Sequence, residues 1–263
     1  MNFKDAEIII NASIANTMPP LMIVGKNGIG KTTMLKAMAQ YYKKSTKLLF
    51  VSSVDYGGLK EFVKMNTKVK TILLTDLQSI ISRKKQISKS TLGYISALVE
   101  EGVQNELTYQ NRGDLQHKPR YINFIIGATQ KHIDELIADN EYDLLSRFIY
   151  LNVERNENIN INKKYELHTT LPTHLDTKVY KTIDAYSLLD MDIQKRLDVN
   201  PRIKQHVNSL CKTLLAMNYK IEYINTIINS ISVFNFNAIN NTKNAGNLYK
   251  LAITPVNALN TNI

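Results

Sequence analysis

The sequence predicts an α/β protein in which helices cover both faces of a parallel sheet. Two observations support this fold class: short apolar runs that end in small or acidic polar residues recur along residues 1–155, and helical stretches fall between them. Strands that alternate with helices are typical of a parallel sheet buried on both faces. Because ligands of such sheets bind at the carboxyl ends of the strands, we expect the functional residues there.

The first predicted elements are a helix, a strand and a second helix. Residues 5–17 have a helical pattern, which Pro19 and Pro20 end. "LMIV" at residues 21–24 predicts a short buried strand. From Lys31 onward apolar residues recur at helical spacing, at Met34, Leu35, Met38 and Tyr42. Residues 25–30 therefore form the loop that joins this strand to the second helix.

Residues 25–32, "GKNGIGKT", fit the G-x-x-x-x-G-K-S/T pattern of a phosphate-binding loop. Glycines let backbone N–H groups converge on phosphate oxygens, and the N-terminus of the following helix favours an anion. Lys31 is placed to reach the β- and γ-phosphates, and Thr32 to offer its hydroxyl to Mg²⁺. We therefore predict ATP and Mg²⁺ as ligands, rather than a turn that binds nothing. The predicted binding residues are Gly25, Lys26, Asn27, Gly28, Ile29, Gly30, Lys31, Thr32 and Thr33.

Four further apolar runs predict the other strands of the sheet. Helical stretches at residues 91–101 and 132–145 separate some of them. The runs are "KLLFVSS" at 47–53, "KTILLTD" at 70–76, "YINFIIGATQ" at 121–130 and "RFIYLNV" at 147–153. Asp76 and Gln130 stand at the ends of two of these runs, and Arg147 precedes the strand in another.

Asp76 is the candidate acidic residue for a phosphate-transfer site. Such a site uses one acid near Mg²⁺ and, usually, a second carboxylate that orients the attacking water. Either Asp76 is the metal-side acid and the water-orienting Glu is missing, or Thr75 takes the first position and Asp76 the second. Slow hydrolysis, or a base from Glu100 or Glu101, is compatible with both. The alternative is that Asp76 only caps a helix, in which case the site would bind a nucleotide without hydrolysing it.

Gln130 and Arg147 are the other candidate catalytic residues of this part of the chain. Gln130 is placed to hydrogen-bond the γ-phosphate or its water; otherwise it is a polar residue that ends a strand. Arg147, in "DLLSRFIYL", stands in a segment suited to reach outward. An arginine supplied to the nucleotide of a neighbouring subunit stabilises transition-state charge. The alternative for Arg147 is an ordinary surface arginine.

The composition changes after residue 155. "NENININKK" is polar and predicts a linker, and helical stretches follow at about 180–198, 202–217 and 221–233. Residues 237–263, rich in Asn and Thr, predict a weakly packed segment. We therefore predict a nucleotide-binding core over 1–155, a helical unit over 156–240 and a weakly structured tail over 241–263.

The order of these motifs resembles the AAA+ ATPases over about residues 5–235. "LLSRF" is similar to the arginine-finger segment of minichromosome-maintenance helicases and MoxR-type ATPases, and "NPRIKQHVNSL" to their second-sensor helix, which gives Arg202 the second-sensor role. The resemblance implies a parallel five-stranded αβα core, a helical lid and a homo-oligomeric ring, commonly a hexamer, with nucleotide between subunits. The sequence departs from the family pattern at the Asp-Glu pair and at Gln130, where Asn is usual.

A basic hairpin is predicted between Asp76 and the strand at 121–130. Residues 103–109 read as a strand, followed by a turn and a return strand, with Arg112, Lys118 and Arg120 around the tip. In the helicase-related AAA+ proteins a hairpin at this place contacts DNA. Phosphate contacts of this kind are independent of base sequence, and the net charge of +10 favours a polyanionic partner. "SRKKQISK" at 82–89 is a rival basic patch.

Three functions are compatible with these features. The first is a DNA-associated ATPase of a helicase or helicase-loader type, acting in replication of a mobile or viral genome, with a helicase as a possible protein partner. The second is a MoxR-like chaperone that remodels proteins, and the third is a slow nucleotide-dependent switch. The single cysteine excludes an intramolecular disulfide, and no apolar run reaches the roughly 20 residues of a membrane span. We expect a soluble protein of the cytoplasm.

Overall fold

A computed structural model of the chain describes residues 1–102, 119–154, 167, 175–198, 200–235 and 252–259. Within these ranges the strands are β1 (Leu21–Val24), β2 (Leu48–Val51), β3 (Thr71–Leu74), β4 (Asn123–Ala128), β5 (Ile149–Asn152), β6 (Ser232–Phe234) and β7 (Ile253–Pro255). The helices are α1 (Phe3–Asn16), α2 (Lys31–Tyr41), α3 (Tyr56–Met65), α4 (Gln78–Ile81), α5 (Lys85–Ser96), α6 (Gln130–Ala138), α7 (Tyr142–Ser146), α8 (Thr177–Thr182), α9 (Met191–Leu197), α10 (Pro201–Ala216) and α11 (Ile221–Ser230). A π-helical turn spans Ala97–Glu101, and 3₁₀ turns span Tyr186–Leu188 and Val256–Ala258.

The strands form one seven-stranded sheet in the order β2-β3-β4-β1-β5-β6-β7. The strands β1 to β5 are mutually parallel and correspond to the five predicted runs, while β6 pairs antiparallel with β5 and β7 antiparallel with β6. The α/β class is therefore confirmed, but the expectation of five parallel strands is wrong because the sheet has seven strands and is mixed. Strands of three residues are too short to show an alternating pattern; β6 is ordered by pairing with β5, and β7 by pairing with β6.

The β1 strand shows why the parallel strands read as continuous apolar runs. Leu21 and Ile23 point into one apolar core, and Met22 and Val24 into a second core on the other face of the sheet. Side chains of successive strand residues alternate between faces, so a strand covered on both sides needs apolar residues throughout. The first core lies under α1, α2 and α10, and the second under α3, α5 and α6.

Local backbone chemistry sets helix bounds that the apolar pattern did not predict. The α1 helix begins at Phe3 because the side chain of Asn2 accepts a hydrogen bond from the N–H of Asp5 at 2.8 Å. The predicted helix over 132–145 is two helices, α6 and α7, since Asn140 between them adopts a left-handed φ of 61°. A left-handed residue ends the first helix and turns the chain into the second.

The helices α9, α10 and α11 contribute buried residues to the first core of the sheet, and α8 packs on α10. The α10 helix contacts α1 and α8, and its residues Val207 and Leu210 are fully buried in the same apolar cluster as β1. The β7 strand, within the segment predicted to be weakly structured, joins the sheet edge, where Ile253 is 3% exposed. The predicted linker lies outside the described residues, so the division at residue 155 stays a prediction.

No helix in the described part of the chain combines the length and the apolar character needed to cross a bilayer.

Candidate nucleotide site

The predicted phosphate-binding loop follows β1 directly and opens α2. A Cβ atom at Gly25 would lie 2.3 Å from Ile29 Cδ1 and 2.7 Å from the carbonyl oxygen of Val153, so the close approach of β5 requires glycine there. Gly28 and Gly30 have φ values of 77° and 107°, which L-residues with side chains rarely adopt. The backbone conformation of the loop therefore requires all three glycines.

The surface of this loop is open to a ligand. Lys26, Asn27 and Gly28 are exposed, as are Thr32 and Thr33 on the first turn of α2. Gly30 precedes the helix without a capping side chain, so the first N–H groups of α2 are not occupied by one. Such N–H groups, with the dipole of the helix, form a suitable site for a phosphate.

The side chain of Lys31 lies across the loop. Its Nζ donates hydrogen bonds to the carbonyl oxygens of Gly25 and Lys26, at 2.7 and 2.8 Å. Partial burial lowers the pKa of Lys31, and the negative charge of Asp76 opposes this effect. The ammonium group is therefore already held at the centre of the loop, where phosphate oxygens can exchange with the two carbonyl oxygens.

Asp76 and Thr75 follow β3, the second neighbour of β1 on that side. Thr75 is 8% exposed, and the side chain of Asp76 is 52% exposed. Asp76 Oδ1 accepts a hydrogen bond from the N–H of Gln78 at 3.0 Å, so the carboxylate caps that N–H group, although the N-cap residue of α4 is Leu77. Because one oxygen makes this bond and the side chain remains half exposed, the cap and a ligand-binding role are compatible.

His132 adjoins Asp76 and is a site residue that the sequence did not indicate. Its Nδ1 lies 3.4 Å from Asp76 Oδ1 and accepts a hydrogen bond from the N–H of Thr129 at 3.3 Å. Thr129 in turn caps α6 through the N–H of His132. Burial lowers the pKa of His132, against the opposing charge of Asp76. The sequence signal for His132 was weak: after the end of a strand, Thr129 is followed three residues later by a polar residue, which is the pattern of a helix cap.

Gln130 is the first residue of α6 and is exposed. It lies at the end of β4, which is hydrogen-bonded to β1, so the loop and Gln130 share the carboxyl edge of the sheet. The geometry brings the loop, Asp76, His132 and Gln130 to one edge of the sheet. The catalytic roles assigned to Asp76 and Gln130 stay predictions.

Gly127 is a second residue whose importance only the structure shows. A Cβ atom there would lie 2.2 Å from the carbonyl oxygen of Thr75, and the Gly127 carbonyl accepts a hydrogen bond from Leu77 N–H at 2.8 Å. We expect Gly127→Ala to displace the segment that carries Asp76 and to lower the free energy of unfolding by about 1–3 kcal/mol, as overpacking does.

Urea unfolding of Gly127→Ala, with ATP hydrolysis measured alongside, tests this expectation. Gly93→Ala is the matched control, since a Cβ at Gly93 in α5 has no neighbour within 4 Å. There we expect a gain of about 0.5–1 kcal/mol from helix propensity. Equal stability and activity of the two variants would contradict the role assigned to Gly127.

Arg147 and Arg202 lie near the amino ends of the parallel strands, whereas the loop lies at their carboxyl ends. Arg147 ends α7 just before β5, whose Ile149 pairs with Leu21 at the start of β1. The loop leaves the other end of β1, about 10 Å along the strand. Arg202 contacts Ser146 Oγ at 2.7 Å, which places it at this same amino edge.

The two arginines belong to a cluster with three carboxylates, which we call the arginine cluster: Arg147, Arg202, Glu100, Glu101 and Asp143. Arg147 lies within 2.9 Å of all three carboxylates and also donates to the Ser96 carbonyl at 3.1 Å. Arg202 Nε donates to Glu100 Oε1 at 2.6 Å. Burial lowers the pKa of Arg147, but its bonds to Asp143 and Glu101 outweigh this and leave the pKa raised.

The structure corrects the expectation that Arg147 reaches outward, because its side chain is only 5% exposed. The carboxylates of the cluster hold the guanidinium against the protein. Arg202 likewise does not lie beside the chain's own loop, since its partners Glu100 and Ser146 are at the other end of the strands. Glu100 and Glu101 lie there too, so neither is placed to supply a base to a nucleotide in that loop, which corrects that alternative. The roles of an arginine finger and of a second sensor therefore require a nucleotide from another copy of the chain, and they stay predictions.

The predicted DNA-contacting hairpin lies outside the described residues, including Arg112 and Lys118. Arg120 is described, and it is half buried: its Nη2 donates to the carbonyl oxygens of Asn66, at the end of α3, and Val69, the latter at 3.3 Å. This arginine thus binds backbone carbonyls instead of projecting from a tip. In the rival patch, Lys84 and Lys89 are exposed.

His206, on α10 near Arg202, predicts a pH-dependent stability. It is 3% exposed, and burial, followed by the charge of Arg202, lowers its pKa from 6.5 to about 4. The unfolded chain then binds more protons than the folded chain between these values. The contribution of neutral His206 to the free energy of unfolding should be fully present above pH 6.5. It should fall by as much as about 3 kcal/mol as the pH drops to about 4.

Urea unfolding of the wild type and of His206→Gln from pH 7.5 to pH 4.5 measures this effect. We expect the slope of stability against pH in that window to be smaller in the variant, because its amide does not titrate. Identical slopes would show that His206 is not held neutral.

Comparison with known proteins gives one weak relation. No protein-family model matches the chain, and no solved structure matches it. The chain is similar to the chromosomal replication initiator protein DnaA of Buchnera aphidicola subsp. Baizongia pistaciae (strain Bp), with 29% identity over an alignment of 119 residues that covers 40% of this chain and 26% of that protein. The chain thus spans about a quarter of the length of its relative. Together with the mostly parallel sheet, this likeness is compatible with the AAA+ resemblance at a coarse level.

Proposed function

We propose that this chain is an AAA+ type ATPase that acts with DNA in a replication-related process. The observation that carries the proposal is the loop between β1 and α2, whose backbone requires glycine at positions 25, 28 and 30 and whose Gly25 and Lys26 carbonyl oxygens accept hydrogen bonds from Lys31 Nζ. The carboxylate of Asp76 lies close enough to affect the pKa of Lys31. This combination suits a nucleoside triphosphate.

Each residue of the site has a chemical task in this proposal. Lys31 and the N–H groups of the loop bind the phosphates, which requires Lys31 to leave the carbonyl oxygens that it now contacts. The exposed hydroxyl of Thr32 and the half-exposed carboxylate of Asp76 are oxygen ligands of the kind Mg²⁺ uses beside substrate phosphates. Mg²⁺ bound there would neutralise charge on the transferred phosphoryl group.

The role in DNA transactions has separate support. The relative is a replication initiator, and the net charge of +10 suits a phosphate backbone. A helicase or helicase-loading role, a ring of subunits and a helicase as partner are the finer parts of the proposal. Both arginines lie away from the chain's own loop, so an oligomer is the arrangement in which they reach a nucleotide.

A slow nucleotide-dependent switch is the second candidate function. Thr75 stands beside Asp76 where an acidic pair is usual, and Arg147 is held by carboxylates of its own chain. Both observations favour low turnover.

Steady-state ATP hydrolysis with and without single- and double-stranded DNA, at low and moderate salt, separates these functions. We expect DNA to stimulate hydrolysis, and more strongly at low salt, because phosphate contacts weaken as salt rises. Hydrolysis that DNA does not change would remove the DNA role, and ATP binding with almost no hydrolysis would favour the switch. A chain that does not bind ATP would overturn the whole proposal.

A further inference from the structure

We propose that Glu100 is a latch: it holds Arg147 and Arg202 as one unit in the isolated chain, and it must release them before either can bind a phosphate of a second copy. This inference rests on the proposed function for the identity of that phosphate. The latch itself is a property of the arginine cluster and can be tested without nucleotide.

One carboxylate joins the two arginines. Glu100 Oε1 accepts from Arg202 Nε at 2.6 Å, while Oε2 lies 2.9 Å from Arg147 Nη1. Glu100 thereby connects the first turn of α10 to the start of β5, two elements that are far apart in the chain. The charge of Arg202 helps to lower the pKa of Asp143, but within the described residues only Glu100 forms an ion pair with both guanidinium groups.

The backbone that carries Glu100 is unusual. Glu100 and Glu101 lie on the π-helical turn, which closes with a hydrogen bond of 2.9 Å from Gly102 N–H to the Ala97 carbonyl. Consecutive residues of an ordinary α-helix point about 100° apart, yet here both carboxylates reach Arg147. Single π-helical turns occur frequently at functional sites.

Gly102 fixes the end of this turn. Its φ is 71°, and a Cβ there would lie 2.8 Å from Pro119 Cβ and 2.9 Å from the ring of Tyr121. The π-helical turn is therefore held in place at its end, and Glu100 is presented to both arginines by a constrained backbone.

The charges of the cluster explain why release is needed. Two guanidinium groups face three carboxylates, so the cluster carries an excess of one negative charge and repels a phosphate. Arg147 Nε is buried and makes no hydrogen bond in the described part of the chain, which leaves one donor unused. Removing the negative charge of Glu100 would balance the two remaining carboxylates against the two arginines, remove an ion-pair partner of Arg147 and weaken the hydrogen bond of the Arg202 Nε donor.

Chemical modification of arginine tests the latch directly. We would treat the protein with phenylglyoxal and quantify modified Arg147 and Arg202 by peptide mass spectrometry. The test variant is Glu100→Gln, and the matched control is Glu101→Gln. The Glu101 carboxylate, which is 66% exposed, contacts Arg147 but not Arg202. Arg83, paired with Asp55 elsewhere, is the internal reference.

We expect modification of both arginines to rise several-fold in Glu100→Gln, whereas Glu101→Gln should affect only Arg147, and less. The latch predicts that hydrolysis per chain also rises several-fold in Glu100→Gln, most at high protein concentration, with the affinity for ATP unchanged. The proposal would be overturned if the two arginines of Glu100→Gln were modified by phenylglyoxal no more than those of the wild type. It would also be overturned if Glu100→Gln and Glu101→Gln showed the same increase in modification.

Thermal unfolding of each variant is measured first. If Glu100→Gln does not unfold cooperatively, Glu100→Asp replaces it, because this change keeps the charge but shortens the side chain so that it cannot span both arginines. Increased modification of Arg202 is then the expected result, and unchanged modification overturns the latch. Since modification needs no nucleotide, failure of the latch is distinguishable from failure of ATP binding by the wild type.

Discussion

Lys31→Ala is expected to weaken ATP binding by about 10- to 100-fold and to remove measurable hydrolysis. A hydrogen bond to a charged group contributes about 1.5–3 kcal/mol, and each 1.4 kcal/mol corresponds to about a factor of ten in affinity. The ammonium of Lys31 is held at the loop by Gly25 and Lys26, within 2.8 Å of each carbonyl oxygen, so phosphates that enter the loop meet it directly. Alanine removes both the charge and the donor.

The loss should not come from unfolding. Lys31 contacts only loop carbonyls in its described hydrogen bonds, and alanine is favourable within a helix. Lys36→Ala is the matched control, because Lys36 is an exposed lysine of the same helix. Equilibrium binding of a fluorescent ATP analogue, with thermal unfolding of each variant, measures the effect. Binding by Lys31→Ala equal to that by Lys36→Ala would falsify the assignment of the loop as the nucleotide site.

The loop was predictable because its requirements are local. Glycine at positions 25, 28 and 30, followed by Lys31 at the start of a helix, specifies the backbone shape and the ligand chemistry within eight residues. The five parallel strands were predictable for a related reason: burial on both faces leaves an apolar run that stands out from its polar flanks. Strands β6 and β7 have no such signal, since β6 is ordered by pairing with β5, which is remote in sequence, and β7 by pairing with β6.

Contacts between distant residues account for what the sequence did not show. Arg147 reads as an outward-facing arginine because nothing near it in the chain except Asp143 shows that carboxylates surround it. Glu100 reaches it from 47 positions earlier, on a π-helical turn that no residue pattern predicts. The clash that excludes a side chain at Gly127 likewise comes from the carbonyl of Thr75, which directly follows the neighbouring strand β3.

Arg147→Ala is expected to lower the free energy of unfolding by about 3 kcal/mol. This is the low end of the range, about 3–5 kcal/mol, that breaking a buried ion pair costs. Alanine would leave three carboxylates around an empty space. The cost should not be higher because Glu101 and Asp143 are each 66% exposed and are partly solvated by water. Urea unfolding measures it, with Arg83→Ala as control. Arg83 pairs with one half-exposed carboxylate, so its loss should cost about 1 kcal/mol or less.

This structural cost determines how a catalytic role of Arg147 can be tested. Reduced hydrolysis by Arg147→Ala alone does not distinguish a lost transition-state contact from a damaged fold. Arg147→Lys keeps a positive charge near the carboxylates but removes the planar guanidinium, so we expect a smaller loss of stability and unchanged ATP binding. If Arg147 acts on the nucleotide of a second copy, hydrolysis should fall at least tenfold in this variant.

Mixing variants then decides whether the arginine acts between chains. Arg147→Lys has an intact loop and Lys31→Ala has an intact arginine, so a mixed assembly contains pairs in which a competent loop faces a competent arginine. Hydrolysis by the mixture above that of either variant alone is expected if Arg147 acts between copies. If the mixture shows no gain while both variants remain folded and associated, Arg147 serves only the arginine cluster of its own chain. The buried position of Arg147 would then be its functional state.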